Sequence, residues 1–219
     1  MQKALLIIVL FLYQVHISCA QKRYEDEIVA FEMHDLVSMP EQHQILLVGS
    51  STIRLWKTYK EDMAGYYVIN RGFGGSTMSD VNEYFDRIVS KYLPKYIFVY
   101  VGDNDLASGK SPEEVINDFK IFGEKVKKSL PKTKVAFGSV RPSLSRLQML
   151  EKQKRFNQLL QAFCKQSKKY QFIDMQKDFY LPNGELMQDI FIEDKLHLNE
   201  KGYKIWTAAI RKHFAKNVK

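Results

Sequence analysis

The sequence predicts an α/β protein, a three-layer α/β/α sandwich built on a parallel sheet of five strands. Two observations lead to this fold class. Short apolar runs, rich in β-branched residues and bounded by Gly, Asn or Pro, recur along the chain, and each predicts a strand that is buried on both faces. Longer stretches with the apolar spacing of amphipathic helices separate these runs. Because right-handed crossovers join successive parallel strands, the alternation predicts helices on both faces of one sheet.

The predicted elements follow one another without a break in composition. Strands are predicted at 44–49, 66–70, 96–102, 134–139 and 171–175, and helices at 79–93, 112–130, 147–167 and 199–214. No repeat, low-complexity tract or linker interrupts them. We therefore expect residues 21–219 to form a single domain.

Residues 1–20 differ in composition from the rest of the chain. An apolar run at 4–13 is followed by a polar stretch that ends at Ala20, before charged sequence begins. This pattern predicts a signal peptide cleaved after Ala20, and hence a secreted, periplasmic or cell-surface protein. The run is about half of the ~20 residues that a membrane-spanning helix needs, which argues against a permanent anchor. Lipid attachment at Cys19 is the alternative, although His16 occupies a position where such signals usually carry leucine.

Charge and cysteine content bear on possible partners. The formal net charge is +8, but the basic residues are spread widely and accompany no nucleic-acid motif, so we expect no nucleic-acid partner. After signal removal Cys164 would be the only cysteine, which excludes an internal disulfide. Its place beside Phe163 in a helical stretch predicts a buried side chain rather than a catalytic thiol. No second cysteine supports a metal or redox site.

Small and polar residues follow three of the predicted strands. The first strand ends in Gly-Ser-Ser at 49–51, the second in Asn-Arg-Gly-Phe-Gly-Gly at 70–75, and the third in Gly-Asp-Asn-Asp at 102–105. The segment 194–199, Asp-Lys-Leu-His-Leu-Asn, precedes the last helix. Ligands of open α/β sheets bind at the carboxyl ends of the strands, so we expect all four segments to meet at one edge.

These segments contain the side chains that acyl transfer needs. A serine hydroxyl becomes a good nucleophile when a histidine removes its proton, and only His197 follows an acid, Asp194, at a useful spacing. The carboxylate could hold Nδ1 of the ring and leave Nε2 to face Ser51. Gly75, Asn104 and the amide of Ser51 could donate hydrogen bonds to an oxyanion. Each residue taken alone also fits a plain turn or helix cap, because short motifs produce false matches.

Four segments, in this order, resemble the conserved blocks of the SGNH (GDSL-like) hydrolases: LLVGSSTIRLW, NRGFGGST, YVGDND and DKLHLNEKGY. The resemblance covers roughly 45–206 and implies the SGNH hydrolase fold, a sandwich of flavodoxin-like type. It implies Ser51 as nucleophile, Asp194 and His197 as the rest of a catalytic triad, and Gly75 and Asn104 as oxyanion donors. The chain departs from the family at Ser50, where the GDS motif has an aspartate that is not the triad carboxylate.

A further segment, Arg-Pro-Ser at 141–143, resembles a family segment near the acyl pocket, and a plain loop explains it equally well. Other sites find no support. The stretch from Asp103 has Ala107 and Ser108 where an EF-hand needs a ligand and a glycine, so we expect no metal. Neither the GxGxxG pattern of nucleotide-binding folds nor the GxSxG elbow of α/β-hydrolases occurs, and we expect no cofactor.

The sequence therefore predicts a secreted carboxylic ester hydrolase that works through an acyl-enzyme. The expected substrate is a small-molecule, glycan or lysolipid ester. Loops between Asn104 and Asp194 are expected to be short, with no insertion that could form a lid, which favours short, acetyl-like acyl groups. The alternative is a non-catalytic cell-surface or carbohydrate-binding module that keeps the same fold.

Overall fold

A computed structural model describes residues 22–218, so the predicted signal peptide and Cys19 lie outside the described residues. Five parallel strands form one sheet in the order β2-β1-β3-β4-β5. The strands are β1 (Ile45–Gly49), β2 (Val68–Gly72), β3 (Tyr96–Tyr100), β4 (Lys134–Gly138) and β5 (Tyr170–Ile173). The predicted five-stranded parallel sheet with helices on both sides is confirmed.

Helices cover both faces of the sheet. They are α1 (Glu25–Val37), α2 (Ser51–Arg54), α3 (Tyr59–Asp62), α4 (Met78–Glu83), α5 (Phe85–Ile88), α6 (Asp103–Ala107), α7 (Pro112–Ser129), α8 (Leu150–Cys164) and α9 (Glu200–Asn217). Short 3₁₀ helices lie at Ser90–Tyr92, Leu144–Met149 and Lys177–Phe179. Helices α1, α4, α5, α7 and α8 pack on one face, and α2 and α9 pack on the other.

Alternation along the central strands divides the core into two layers. In β1, Leu46 and Val48 belong to the core on the α7 and α8 side, whereas Ile45 and Leu47 belong to the core on the α9 side. Successive strand side chains point to opposite faces, so a continuous apolar run fills both layers at once. Cys164 is buried in the first layer, and burial raises the pKa of its thiol to about 12, which leaves little reactive thiolate.

Two sequence-based expectations about these elements are wrong. Edge strands β2 and β5 are only partly buried, because each has a neighbour on one side only. The helix predicted at 79–93 is interrupted at Tyr84 and Val89, where the backbone leaves helical geometry, and forms α4, α5 and a 3₁₀ turn instead. Its predicted apolar face is nevertheless buried, since both interrupting residues lie in the core.

The connection between β5 and α9 is longer than the expected short loops. Residues 174–199 contain one 3₁₀ turn and two isolated bridges, Tyr180 with Leu186 and Phe191 with Leu198. The segment is not free to cover the site as a lid, because several of its apolar side chains are buried in the core beside α9: Met175, Phe179, Ile190, Phe191 and Leu198. It delivers Asp194 and His197 to the edge of the sheet.

Candidate active site

Ser51 begins helix α2 immediately after β1. A side chain at Gly49 would place its Cβ 2.1 Å from the carbonyl oxygen of Tyr100, so only glycine allows β1 and β3 to approach this closely. The Ser50 carbonyl accepts hydrogen bonds from the amides of Ile53 (3.0 Å) and Arg54 (3.1 Å). Serine at 50, where the family has aspartate, thus still starts the helix through its backbone and leaves Ser51 at the first helical position.

The predicted nucleophile, base and acid lie in one hydrogen-bonded chain. The Oγ of Ser51 is 2.7 Å from Nε2 of His197, across 146 residues of sequence. On the other side of the ring, Nδ1 is 2.5 Å from Oδ2 of Asp194. With the proton on Nδ1, the ring donates to Asp194 and Nε2 accepts the hydrogen bond of the serine hydroxyl. This is the arrangement in which a histidine can remove the serine proton.

A tight turn fixes the imidazole relative to Asp194. Oδ1 of Asp194 accepts hydrogen bonds from the amides of Leu196 and His197, each at 2.9 Å. Lys195, which lies between Asp194 and Leu196, has a φ of 56°, the left-handed conformation that such a turn needs. The amide of Ile192 also donates to the carbonyl of His197 at 2.9 Å. The carboxylate therefore holds both the backbone and the ring of the histidine segment.

The same contacts set the charge of Asp194. Partial burial opposes ionisation of this carboxyl, but hydrogen bonds from the His197 ring and from the His197 and Leu196 amides outweigh it and lower the pKa of Asp194. Asp194 is consequently a carboxylate throughout the neutral range. An anion in this position stabilises the imidazolium that forms when His197 accepts a proton.

Besides the Ser51 amide, the predicted oxyanion donors are Gly75 and Asn104, and Ser76 connects the two. Nδ2 of Asn104 donates to the Ser76 carbonyl at 3.1 Å, which leaves its second amide hydrogen for a substrate. Gly75 precedes Ser76 and has a φ of 71°, a conformation that glycine adopts without strain. The Ser76 hydroxyl lies 3.3 Å from the Gly49 carbonyl, two residues before Ser51. Asn104 lines the same cleft as Ser51 and His197, whereas Gly75 is not among its lining residues and is connected to Asn104 through the neighbouring Ser76 carbonyl.

Two arginines line this cleft: Arg141, whose segment resembles a family segment near the acyl pocket, and Arg146, to which the sequence assigned no role. Arg146 donates to Oδ1 of Asn104 at 3.1 Å and forms an ion pair with Asp103, so it fixes the orientation of the amide. Arg141 is buried, and its Nη2 donates to the Leu196 carbonyl at 2.9 Å, next to His197. The acidic side chain of Asp103 in the Gly-Asp-Asn-Asp segment is the sequence signal that could have suggested a basic partner elsewhere in the chain.

Within residues 22–218, no group of three or more His, Cys, Asp or Glu side chains is placed to hold a metal ion. No helix in the described part of the chain is long and apolar enough to cross a membrane.

Three solved structures of similar fold are distant in sequence. A Bacteroides fragilis protein provisionally described as an acylhydrolase is 19% identical, with a TM-score of 0.74, over 91% of this chain and 98% of that one. A GDSL-like lipase from Bacteroides thetaiotaomicron is 19% identical, with a TM-score of 0.70, over 87% and 98% of the two chains. A variant of an acetyl-xylooligosaccharide esterase from Geobacillus Stearmophilus is 13% identical, with a TM-score of 0.62, over 78% and 94%.

At identities of 13% to 19%, these structures establish the fold of the chain and nothing beyond it. Comparison with curated proteins finds no match. The family model described as the GDSL-like Lipase/Acylhydrolase family matches residues 47–205, which include Ser51, Gly75, Asn104, Asp194 and His197. Since that match covers most of the chain, the protein belongs to the GDSL-like lipase and acylhydrolase family.

Proposed function

We propose that this chain is a secreted serine carboxylic ester hydrolase that acts on short acyl, acetyl-like esters of carbohydrates or lysolipids. The observation that carries the proposal is the continuous chain from Ser51 Oγ through His197 to Asp194, with distances of 2.7 Å and 2.5 Å. The family supplies the broader class of acylhydrolases. The predicted signal peptide at 1–20 supports secretion.

Acylation begins when Nε2 of His197 takes the proton of the Ser51 hydroxyl. The serine oxygen forms a bond to the ester carbonyl carbon, and the carbonyl π electrons move to its oxygen. Amides of Ser51 and Gly75 and the free hydrogen of Asn104 would donate to this oxyanion. Such donors stabilise charge that exists mainly in the transition state, so they raise kcat more than they lower KM.

The tetrahedral intermediate then breaks its bond to the alcohol oxygen. His197 returns the proton from Nε2 to that oxygen, so the alcohol leaves neutral and the acyl group remains on Ser51. Water attacks the acyl-enzyme with His197 again as base, and the second intermediate collapses to release the carboxylic acid and restore the serine. Asp194 stays ionised throughout and balances the positive charge on the ring.

The lining of the cleft supports a short acyl group. Ser51, Asn104, Arg141, Arg146 and His197 line it together with Tyr100, Val101 and Leu196, and this largely polar lining gives little gain from burying a long alkyl chain. A more open groove beside the Asp194 segment is lined by Leu144, Gln188, Phe191, Ile192, Glu193 and Lys195. Its mixture of apolar and polar side chains suits the alcohol part of a carbohydrate ester. The acetyl-xylooligosaccharide esterase of similar fold supports the same substrate class.

The test is an ester assay on the mature chain with p-nitrophenyl acetate, acetylated xylo-oligosaccharides and a lysolipid. Ser51→Ala and His197→Ala are each expected to lower kcat by roughly 10⁴-fold or more, because triad members act as a unit. Ser50→Ala is the matched control, since its hydroxyl makes no cap hydrogen bond, and it should retain activity. Near-normal turnover by Ser51→Ala would refute the serine mechanism. An inactive wild type on all three esters would favour the non-catalytic binding module.

A further inference from the structure

We infer that Glu27, on helix α1, is a positioning residue for the oxyanion loop, by which we mean residues 73–77. The inference rests on the proposed function, because an oxyanion loop has a role only if the chain hydrolyses esters. Glu27 is not one of the site residues that the sequence predicted. Helix α1 spans Glu25–Val37 and precedes the stretch that the family model matches. The site of this chain therefore includes an element beyond the family blocks.

Glu27 contacts the oxyanion loop directly. Its two carboxylate oxygens each lie 3.2 Å from the amide nitrogen of Gly74, so this N–H is shared between them. Gly74 is the residue before the proposed donor Gly75. The contact spans 47 residues of sequence and joins α1 to the loop after β2. A hydrogen bond to a charged acceptor is roughly twice as strong as one between neutral groups, which suits a clamp on backbone.

The oxyanion loop needs such a clamp because consecutive glycines begin its turn. Gly74 and Gly75 have no side chains, so their backbone has more accessible conformations than any other pair of residues would have. Beyond them, Ser76 is held through its carbonyl by Asn104 and through its hydroxyl by the Phe73 carbonyl at 3.0 Å. Glu27 supplies the corresponding restraint before the donor. The Gly75 amide thus lies between two fixed points.

Helix α1 is itself held in place by ion pairs, so the backbone that carries Glu27 is fixed. Arg87 binds both Glu25 and Glu32 with nitrogen–oxygen distances of 2.7 Å. Near the end of α1, the buried Asp35 accepts a hydrogen bond from Nη2 of Arg71 at 2.5 Å. Arg71 belongs to β2, two residues before the oxyanion loop begins. The helix is therefore tied to α5 through Arg87, and near its end to β2, the strand that precedes the loop.

The Tyr24 side chain packs over the same loop. Its ring meets Phe73 edge to face at 5.2 Å between centroids, and its hydroxyl lies 3.4 Å from where a Cβ on Gly75 would be. The ion pair between Glu27 and Arg54 is longer, at 3.7 Å, and about half of the Arg54 side chain is exposed. Exposed pairs contribute little, so we assign the role of Glu27 to its bond with the Gly74 amide and not to its charge on Arg54.

Three variants of the mature chain separate positioning from general stabilisation. Glu27→Ala removes the acceptor, and Glu27→Gln keeps one oxygen acceptor and removes the charge. Glu32→Ala removes one of the two ion pairs of Arg87, away from the loop, while Glu25 still holds the helix to Arg87. A displaced donor loses much of its effect, since errors of about 1 Å can cost 10²-fold in rate. We expect Glu27→Ala to lower kcat about 10-fold with KM within twofold of wild type. Glu27→Gln should recover most of this loss, and Glu32→Ala should retain wild-type kcat.

Inhibition by a small alkyl boronic acid supplies a second readout, because its adduct with Ser51 is a tetrahedral boronate anion whose hydroxyl oxygen can occupy the position of the oxyanion. Its Ki should rise about 10-fold in Glu27→Ala and stay near wild type in Glu32→Ala. Equal losses in the two alanine variants, or a loss confined to KM, would overturn the inference. The proposed function would stand in that case if Ser51→Ala remained inactive, whereas turnover by Ser51→Ala would refute the proposed function itself.

Discussion

Replacement of Asp105 by asparagine tests whether burial raises the pKa of a carboxyl next to Asn104, a proposed oxyanion donor. Asp105 follows Asn104, and its side chain is fully buried. Oδ1 accepts a hydrogen bond from the Met78 amide at 2.9 Å, whereas Oδ2 has no hydrogen-bond partner in the described part of the chain. Burial raises the pKa of Asp105 to about 6, against the opposing effects of the Met78 amide and the Lys110 charge.

A raised carboxyl pKa makes the fold less stable wherever that carboxyl is ionised. The folded protein keeps this proton up to about pH 6, whereas the unfolded chain releases it near pH ~3.9. The stabilising contribution of the bound proton is therefore fully present below the unfolded pKa and is lost as the pH rises through the folded pKa. At 1.36 kcal/mol per pKa unit, the loss between pH 4 and pH 8 is roughly 2 to 3 kcal/mol.

Asp105→Asn removes this dependence and keeps an oxygen acceptor for Met78. Urea unfolding of both proteins at pH 4 and pH 8 gives the difference in free energy of unfolding at each pH. We expect that difference to shift in favour of the asparagine variant by roughly 2 to 3 kcal/mol from pH 4 to pH 8, because other titrating groups cancel between the two proteins. A difference that stayed constant with pH would show that the carboxyl of Asp105 ionises normally.

Three further predictions concern the reaction. Asp194→Asn should lower kcat by roughly 10⁴-fold, because the His197 ring loses the acceptor that fixes its tautomer and the negative charge that stabilises the imidazolium. An unchanged kcat in steady-state kinetics would show that Asp194 has only a structural role. Asn104→Ala should cost ~10²-fold to 10³-fold in kcat with little change in KM, and an effect confined to KM would make the amide a ground-state contact instead. Across p-nitrophenyl esters, kcat/KM should fall as the acyl chain lengthens beyond butyryl, and faster cleavage of palmitate than acetate would contradict the short acyl pocket.

The part of this site that the sequence predicted is the part on which chemistry and topology place strict demands. A triad needs particular residue types, and parallel strands deliver their carboxyl ends to one edge of the sheet. Ser51 and His197 are 146 residues apart, yet each belongs to a segment whose place at that edge followed from the strand pattern. Asp194 was predictable for a different reason, because it lies three residues before His197 in the same turn.

Helix α1 could not be predicted in the same way. Its sequence is acidic in the first turn, and only Ile28 and Asp35 are buried, so it lacks the broad apolar stripe that identifies an amphipathic helix. The contacts that hold it lie far along the chain, in β2 and around Arg87. Nothing in the local pattern specifies these partners, and tertiary contacts stabilise the helix where propensity does not.

Residues that support the donors differ in kind from the donors themselves. An oxyanion requires N–H groups at one position, so glycine and asparagine at strand ends were recognisable candidates. The acceptor that holds Gly74 could be any carboxylate, amide or carbonyl on any nearby element, and here it is Glu27 on α1. Likewise, any basic side chain could neutralise Asp103, and here Arg146 does so while it also fixes Asn104. Because many residues could fill such supporting roles, they are found from contacts in the folded chain and not from short sequence motifs.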